Sequence, residues 1–371
     1  MIKKVKIKGL RGRGNINLDF FDDINVITGA NGIGKTTVIK LIWYVYSGNL
    51  NRAISEIEFK EIELTTKTHR IKVFESSNEL LATYDENVSP TGYELLIEEL
   101  HSGKRILDTL RERADISYCE NIVSKINERS LYFPTFRRIE GFSKLNNNRF
   151  QTEFEEEILD NAMSKISNLI SINDHRYITS VATKDITELI TSQYAKVSDK
   201  INNEYKILSD NIQHTIKDNM ESEDNNNLRE QLNKIRDYMN ENNLLREKAL
   251  SPINKINELV DSIFSSKGIN IGKTFSFGAT KEKIDSEYLS SGEKQMLSFI
   301  TYNAFYSNIP FFVDEPEISL HVDWQRRLLS ILSSQRTNNQ IIIATHSPFI
   351  YTKYSDKEIM LDKEVDSFYG E

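Results

Sequence analysis

Hydrophobic and polar positions alternate along the first 20 residues, on both sides of a glycine-rich stretch. This period of two predicts a β-hairpin with a glycine-containing turn. The next apolar segment, residues 24–28, is a short buried strand, and residues 36–46 continue as an apolar helix. The alternating apolar positions of the hairpin are Val5, Ile7, Ile16, Leu18 and Phe20.

Later segments complete the prediction of an α/β fold. Residues 309–313 and 340–344 are apolar almost throughout, which is typical of strands covered on both faces of a parallel sheet. The helical pattern of residues 322–334 lies between them and makes a βαβ unit. We therefore expect an α/β head with a mixed or parallel sheet. Further strands are predicted at residues 61–65, 70–74, 93–97 and 131–136.

The middle of the chain is polar and helical. Apolar residues from Ile190 to Ile216 recur every three or four positions, with a mean step of about 3.7, which is close to an eleven-residue repeat and indicates a near-straight or slightly right-handed helical pair. The pattern fits a projecting antiparallel arm or an ordinary helical subdomain. The predicted domains are an N-terminal lobe at 1–150, a coiled-coil-like helical insert at 151–267 and a C-terminal lobe at 268–371.

A phosphate-binding loop is predicted between the strand at 24–28 and the following helix. Its pattern is G-x-x-x-x-G-K-T, in which glycines let backbone N–H groups approach phosphates closely. Lys35 would reach the β- and γ-phosphates, and the Thr36 hydroxyl would bind Mg²⁺. A chance glycine-rich turn is the alternative. The predicted ATP-binding residues are Gly29, Ala30, Asn31, Gly32, Ile33, Gly34, Lys35, Thr36 and Thr37.

Three further polar side chains follow the two apolar strands of the C-terminal lobe. Asp314 ends the first strand, where a carboxylate could coordinate Mg²⁺ together with Thr36. Glu315 is the candidate base that would deprotonate the attacking water. His346 follows the second strand and could donate a hydrogen bond to a γ-phosphate. The alternative is that Asp314 and Glu315 only cap the next helix.

A second candidate anion site lies at the start of a helix near residue 290. Hydroxyls and open backbone amides meet there at a helix N-terminus. Two anion sites in one chain are most simply explained if one of them serves the nucleotide of a partner subunit, whereas an ordinary helix cap is the alternative. The residues of this candidate site are Ser290, Ser291, Gly292 and Glu293.

Composition narrows the class of protein. The net charge is −8, so a nucleic-acid contact would need a local basic patch. Cys119 is the single cysteine, which excludes an intramolecular disulfide and a cysteine-rich metal site. No segment has the run of about 18–20 apolar residues that a membrane span needs. We therefore expect a soluble, cytoplasmic protein without membrane contacts.

Together, residues 29–37, 289–295, 311–321 and 345–348 resemble the ABC-type ATPases of the OLD, RecF and SMC group. The similarity is greatest to the OLD-like branch, which carries DEPE-x-x-LH and THSP. The resemblance implies an ABC-type P-loop ATPase head that uses ATP and Mg²⁺ and hydrolyses ATP slowly in isolation.

The resemblance also implies a homodimer or higher oligomer. Residues 290–293 would then form a signature that acts in trans on the other subunit's γ-phosphate, and Ser319, Leu320 and His321 would form the dimer loop. The glutamine that the family places at the lobe junction is not identifiable, and Gln151, Arg137 and Arg138 are weak candidates for its place.

One departure from the OLD pattern shapes the functional expectation. Many OLD proteins carry a C-terminal Toprim nuclease, but only 25 residues follow His346. The chain is therefore expected not to be a nuclease itself. It would sense a trigger and gate a separate nuclease or toxin, as in antiphage systems resembling Septu, PARIS and some retrons.

The alternative is a DNA-repair or DNA-clamp ATPase similar to RecF and SMC proteins. Residues 3–13 form the densest basic stretch of the chain, and Lys4, Lys6 and Lys8 share one face of the first strand. They could meet DNA phosphates or form the solvated face of an edge hairpin. Lys8, Arg11 and Arg13 are the candidate contacts to DNA or to the nucleotide.

Overall fold

The chain folds into two compact units in the computed structural model. Unit 1 comprises Met1–Val181, Ser291–Met296 and Tyr306–Glu371, and unit 2 comprises Ala182–Ser290 and Leu297–Phe305. No helix of the described part of the chain is long and apolar enough to cross a membrane. The structure describes residues 1–12, 14–76, 92–112, 114–135, 161–179, 183–220, 225–264, 269–271, 275–277, 282–283 and 289–361.

Fifteen strands and nine helices are numbered in chain order over these described residues. The helices are α1 (Lys35–Ser47), α2 (Leu50–Glu56), α3 (Ile116–Ile126), α4 (residues 161–170), α5 (Thr183–Met220), α6 (Asn225–Ile263), α7 (Ser291–Phe305), α8 (Val322–Ser334) and α9 (Pro348–Tyr351). The strands are β1 (Ile2–Lys8), β2 (Ile16–Asp19), β3 (Ile24–Thr28), β4 (Glu61–Thr66), β5 (His69–Glu75), β6 (Tyr93–Glu99), β7 (Arg105–Asp108), β8 (Ser130–Phe133), β9 (His175–Tyr177), β10 (Ile269–Ile271), β11 (Phe275–Phe277), β12 (Glu282–Lys283), β13 (Pro310–Asp314), β14 (Gln340–Ala344) and β15 (Glu358–Met360).

A six-stranded parallel sheet of unit 1 carries the predicted site. Its order is β15-β3-β14-β13-β8-β9, and every neighbouring pair is parallel. All five residues of β3, β13 and β14 are buried, as the apolar runs predicted. The α/β prediction is therefore confirmed, and the carboxyl ends of these strands meet at one edge of the sheet.

Two details of this sheet differ from the sequence-based expectation. Strand β8 ends at Phe133 rather than at residue 136, because Pro134 has no backbone N–H to donate to a neighbouring strand. Strand β9 pairs with β8 although it lies in the stretch that was predicted to be mainly helical. Its three residues are too few to show a periodicity.

A second six-stranded sheet of unit 1 is antiparallel, in the order β2-β1-β4-β5-β6-β7. It confirms the N-terminal hairpin and the three strands predicted between residues 61 and 97. One face is apolar and buried. The other carries cross-strand ion pairs, including Lys4–Asp19 at 3.1 Å, Lys6–Glu63 at 3.2 Å and Lys8–Glu61 at 3.1 Å.

Helix α1 lies between the two sheets and contacts β13 and β14 on one side and β4 on another. Eleven of its 13 residues are buried, which explains why its sequence is apolar on all faces. Its Trp43 indole donates a hydrogen bond of 3.0 Å to the Ser130 hydroxyl, which in turn lies 2.8 Å from Nδ1 of His175. This buried chain fixes α1 to the β8–β9 edge of the parallel sheet.

Unit 2 contains the two long helices α5 and α6, which pack against each other, and the short antiparallel sheet β10-β11-β12. The predicted outgoing and returning helices are confirmed. Helix α5 has 38 residues and is therefore about 57 Å long at 1.5 Å per residue. Residues 221–224, between the two helices, lie outside the described residues, and α6 begins at Asn225.

Candidate active site

The predicted phosphate-binding loop joins β3 to α1 as a compact turn. Three of its glycines have positive φ: Gly29 at 140°, Gly32 at 74° and Gly34 at 92°. A side chain at Gly29 would also collide with the carbonyl of Leu361, 2.7 Å from the position of its Cβ. The glycines are therefore required by the backbone path, as the motif indicated.

Lys35 lies at the centre of the loop and is 3 % exposed. Its ammonium group donates hydrogen bonds to the carbonyls of Gly29 (2.9 Å) and Ala30 (3.3 Å) and contacts Nδ1 of His346 at 2.9 Å. Burial lowers the pKa of Lys35, while the nearby carboxylates, led by Glu315, act in the opposite direction. Among the described residues the hydrogen-bond acceptors of this buried ammonium group are neutral, so it is well placed to bind a phosphate.

Asp314 is held between two threonine hydroxyls at the end of β13. Thr36 donates to Oδ1 at 3.1 Å, and Thr135, two residues beyond β8, donates to Oδ2 at 2.5 Å. Asp314 is 1 % exposed, and burial raises its pKa from 3.8 to about 6, although both hydroxyls lower it. The carboxylate is thus held in a position where a bound cation would offset the cost of burying its charge.

The donors at this position fit a magnesium ion. A hydroxyl and a carboxylate supply hard oxygen ligands, and Mg²⁺ is usually held by one or two carboxylates together with substrate phosphates. No cluster of three or more His, Cys, Asp or Glu side chains among the described residues could hold a metal by itself. Thr36 and Asp314 are therefore the residues that would hold Mg²⁺ here, with the nucleotide supplying further oxygens.

Glu315 has a strained backbone, with φ 46° and ψ 57°. A non-glycine residue in the left-handed region is uncommon and costs energy, and such strain concentrates at functional sites. The Glu315 N–H donates to the carbonyl of Ala344 at 2.8 Å, which ties this turn to the neighbouring strand β14. The carboxylate consequently projects into the site beside His346.

His346 links Lys35 to Glu315. Because an ammonium group can only donate, Nδ1 of His346 accepts from Lys35, and the ring proton lies on Nε2. Nε2 is 3.4 Å from Oε1 of Glu315. The His346 backbone N–H donates to Glu317 at 2.6 Å. A γ-phosphate would therefore compete for Lys35 and His346 and free the Glu315 carboxylate.

The loop after Glu315 meets the first turn of α7. A Cβ on Gly292 would overlap the carbonyl oxygen of Ser319, so this backbone contact requires glycine. Within unit 1, the predicted signature and the predicted dimer loop therefore share one contact. The His321 side chain is 76 % exposed, and its Nδ1 lies 3.6 Å from Oδ2 of Asp323.

An open pocket of about 450 Å³ adjoins the carboxylates. Thr36, Thr135 and Glu315 line one side of it, and Tyr177 and Thr179 of the β9 edge line another. The pocket gives water and a substrate access to Glu315.

The structure also locates the candidate contacts to DNA. Lys8 is paired with Glu61 on the antiparallel sheet, and Arg11 is an exposed turn residue with φ 48°. Arg13 lies outside the described residues, as do Arg137, Arg138 and Gln151. Lys4, Lys6 and Lys8, which form the predicted basic face, each have a carboxylate partner on a neighbouring strand.

Two residues of the site were missed by sequence reasoning. Thr135 follows a strand end, which is the same signal that identified Asp314, so the pattern could have indicated it. Gln325 on α8 binds the loop at residues 317–320 and Ser347. Nothing in the sequence around Gln325 marks it, because its role depends on how two loops meet.

Comparison with known proteins places this geometry in context. The chain matches the AAA ATPase domain family over residues 1–351. It is 30 % identical over 92 residues to the Septu protein PtuA of Bacillus thuringiensis, covering 24 % of this chain and 23 % of that protein. It is 48 % identical over 42 residues to the DNA double-strand break repair Rad50 ATPase of Methanopyrus kandleri, covering 11 % and 5 %. The chain thus spans less than a quarter of the length of either relative.

Two solved structures are similar at low identity. The Smc head domain of Pyrococcus furiosus with an extended coiled coil, bound to the C-terminal domain of ScpA, gives a TM-score of 0.41 at 14 % identity and covers 95 % of this chain and 91 % of that chain. The SMC head domain of Thermotoga maritima gives 0.42 at 12 %, with the same coverage.

Proposed function

The chain belongs to the AAA ATPase domain family, and from that premise we propose that it hydrolyses ATP at the site around Lys35 and dimerises when Mg·ATP is bound. The observation that carries the proposal is the convergence of Lys35, Thr36, Asp314, Glu315 and His346 at one sheet edge. These side chains come from three separate strand ends, and a helix cap alone would not require them to meet.

Each side chain has a defined role in the proposed reaction. The loop at residues 29–37 and Lys35 bind the β- and γ-phosphates. Glu315 accepts a proton from water as the water oxygen attacks the γ-phosphorus, and the bond from that phosphorus to the β–γ bridging oxygen breaks. His346 donates a hydrogen bond to the γ-phosphate. Mg²⁺, held by Thr36 and Asp314, would neutralise charge on the phosphates.

We propose that the second subunit completes this site. Ser290, Ser291, Gly292 and Glu293 would contact the nucleotide of the partner, and Ser319, Leu320 and His321 would line the interface. The contact of Gly292 with Ser319 supports this proposal, because it holds the two segments next to each other. ATP would then contact both subunits and hold the two copies together.

The biological role that we propose is the gating of a separate nuclease or toxin in antiphage defence. It is supported by the similarity to the Septu protein PtuA. The second candidate is a DNA-repair or clamp ATPase, which is favoured by the 42-residue similarity to a Rad50 ATPase. Against direct DNA binding by the N-terminal sheet stands the pairing of Lys4, Lys6 and Lys8 with carboxylates, which leaves little unbalanced positive charge.

Hydrolysis is tested with purified chain and three variants. Lys35→Ala should lose ATP binding, Glu315→Gln should bind ATP but release no phosphate, and Ser330→Ala on the exposed face of α8 is the control. Phosphate release is measured against Mg²⁺ and ATP concentration. Equal phosphate release by wild type and Glu315→Gln would contradict the assignment of the base.

The partner is tested by capture from the native host. Tagged Glu315→Gln chain is isolated with Mg·ATP, and the bound material is identified by mass spectrometry and nuclease digestion, with Lys35→Ala as the control. A stoichiometric nuclease or toxin lost in the control supports effector gating. Nuclease-sensitive DNA without such a protein supports the clamp instead.

A further inference from the structure

Gln325 is a buried polar side chain that none of the proposed steps uses. It lies on the first turn of α8 and is 8 % exposed. Its amide nitrogen donates to the carbonyls of Leu320 (2.7 Å) and Glu317 (3.3 Å), and its amide oxygen accepts from the Ser347 hydroxyl at 2.6 Å. Both of its donor hydrogens and its acceptor are therefore satisfied, as a buried amide requires.

The three bonds join two loops that carry different parts of the site. Leu320 follows Ser319, whose carbonyl packs on Gly292 of the candidate signature. Ser347 follows His346, which contacts Lys35 and Glu315. A single side chain thus fixes the signature-facing loop to the loop that carries the phosphate-sensing histidine.

A second hydrogen bond joins the same two loops. Glu317, whose carbonyl accepts from Gln325, also receives the backbone N–H of His346 on its carboxylate at 2.6 Å. The loop at 315–320 is therefore bound to the His346 loop at two points. These bonds lie on both sides of Ser319 in the chain, so a displacement of Ser319 would act on Gln325 through Leu320 and on His346 through Glu317.

We propose that Gln325 is a positioning residue that transmits contact with a second copy near Gly292 and Ser319 to His346 and Glu315. It would act through these residues and touch neither ATP nor the reacting water. This inference rests on the proposed ATP-dependent dimerisation, and it adds the route by which the presence of a second copy reaches the hydrolytic side chains. Without the link, ATP would bind normally, but hydrolysis would lose its dependence on the partner.

The side-chain chemistry defines the test. Gln325→Met keeps the length and volume but removes the donors and the acceptor. Ser347→Ala removes the hydroxyl at the other end of the link. Ser330→Ala, on the exposed face of the same helix, is the matched control.

We expect Gln325→Met to lower kcat about 10- to 100-fold, because small displacements of catalytic groups have effects of this size. KM and the affinity for a fluorescent ATP analogue should stay within about twofold of the wild-type values, because the substitution removes no contact to ATP. Ser347→Ala should lower kcat in the same direction, and the double variant should be no slower than Gln325→Met, as residues of one link are non-additive. Ser330→Ala should match wild type.

Three results would overturn the inference: an unchanged kcat in Gln325→Met, multiplicative effects in the double variant, or parallel losses of ATP affinity and Tm. If Gln325→Met fails to fold, Ser347→Ala measures the link alone, and an unchanged kcat there overturns it. A wild-type chain that neither hydrolyses ATP nor dimerises would instead overturn the proposed function. The two failures are therefore distinguishable.

Discussion

The buried carboxylate of Asp314 should destabilise the nucleotide-free protein. Asp314 is 1 % exposed, and its pKa is raised from 3.8 to about 6 by burial. Asp314→Asn keeps the shape and can still bond both the Thr36 and the Thr135 hydroxyls. We therefore predict that this substitution makes the free protein more stable while it weakens Mg²⁺-dependent nucleotide binding.

The magnitude follows from the shift. Folding raises the pKa of the Asp314 carboxyl. The contribution of this group to the free energy of unfolding is therefore greatest at low pH and is lost as the pH rises from 3.8 through about 6. A shift of about two pKa units corresponds to about 3 kcal/mol at neutral pH. For a chain of 371 residues, with an unfolding entropy of about 2.1 cal/mol/K per residue, that is roughly 4 °C in Tm. At pH 5 about half of the penalty remains, because the folded carboxyl is then mostly protonated.

Thermal unfolding in EDTA without nucleotide checks this prediction. The Tm of Asp314→Asn should exceed that of wild type at pH 7.5, and the difference should shrink at pH 5. Saturating Mg·ATP should stabilise wild type and leave the variant nearly unchanged. A variant that is no more stable than wild type at pH 7.5, or a difference that is equal at both pH values, would refute the reasoning.

Three further predictions concern single contacts. Thr135→Val removes a hydroxyl that supports the metal-binding carboxylate, so it should raise the Mg²⁺ concentration needed for nucleotide binding about 10-fold. Thr135→Ser should restore the wild-type concentration. An unchanged Mg²⁺ titration in Thr135→Val would argue against this role. Gly292→Ala should abolish ATP-dependent dimerisation without loss of ATP binding, since its Cβ overlaps Ser319; light scattering that still finds dimers would contradict it. Ser130→Ala should lower the free energy of unfolding by about 1–3 kcal/mol, because a buried indole N–H loses its acceptor; an unchanged Tm would show that another acceptor replaces it.

The central strands and the phosphate loop could be predicted because local sequence determines them. Runs such as residues 341–344 are apolar because both faces of the strand are covered, and this requirement is visible in four consecutive residues. Polar residues at the ends of such strands then converge by topology, as Asp314 and His346 do. The family prediction from these motifs is confirmed by the match over residues 1–351.

The supporting contacts could not be predicted, because they depend on distant segments. Thr135 reaches Asp314, which lies 179 residues later in the chain, only because β8 pairs with β13. Gln325 acquires its role only when two loops pack together. The sequence alone suggests a basic face at Lys4, Lys6 and Lys8, but the antiparallel pairing places a carboxylate residue directly opposite each of the three.

The most direct test of the account is the mass of Glu315→Gln chain in solution, measured by light scattering with and without saturating Mg·ATP. We predict a twofold increase in mass with Mg·ATP, which Lys35→Ala and removal of Mg²⁺ by EDTA both abolish. A mass that stays that of one chain under saturating Mg·ATP, with nucleotide binding verified in the same sample, would contradict the claim that ATP joins two copies.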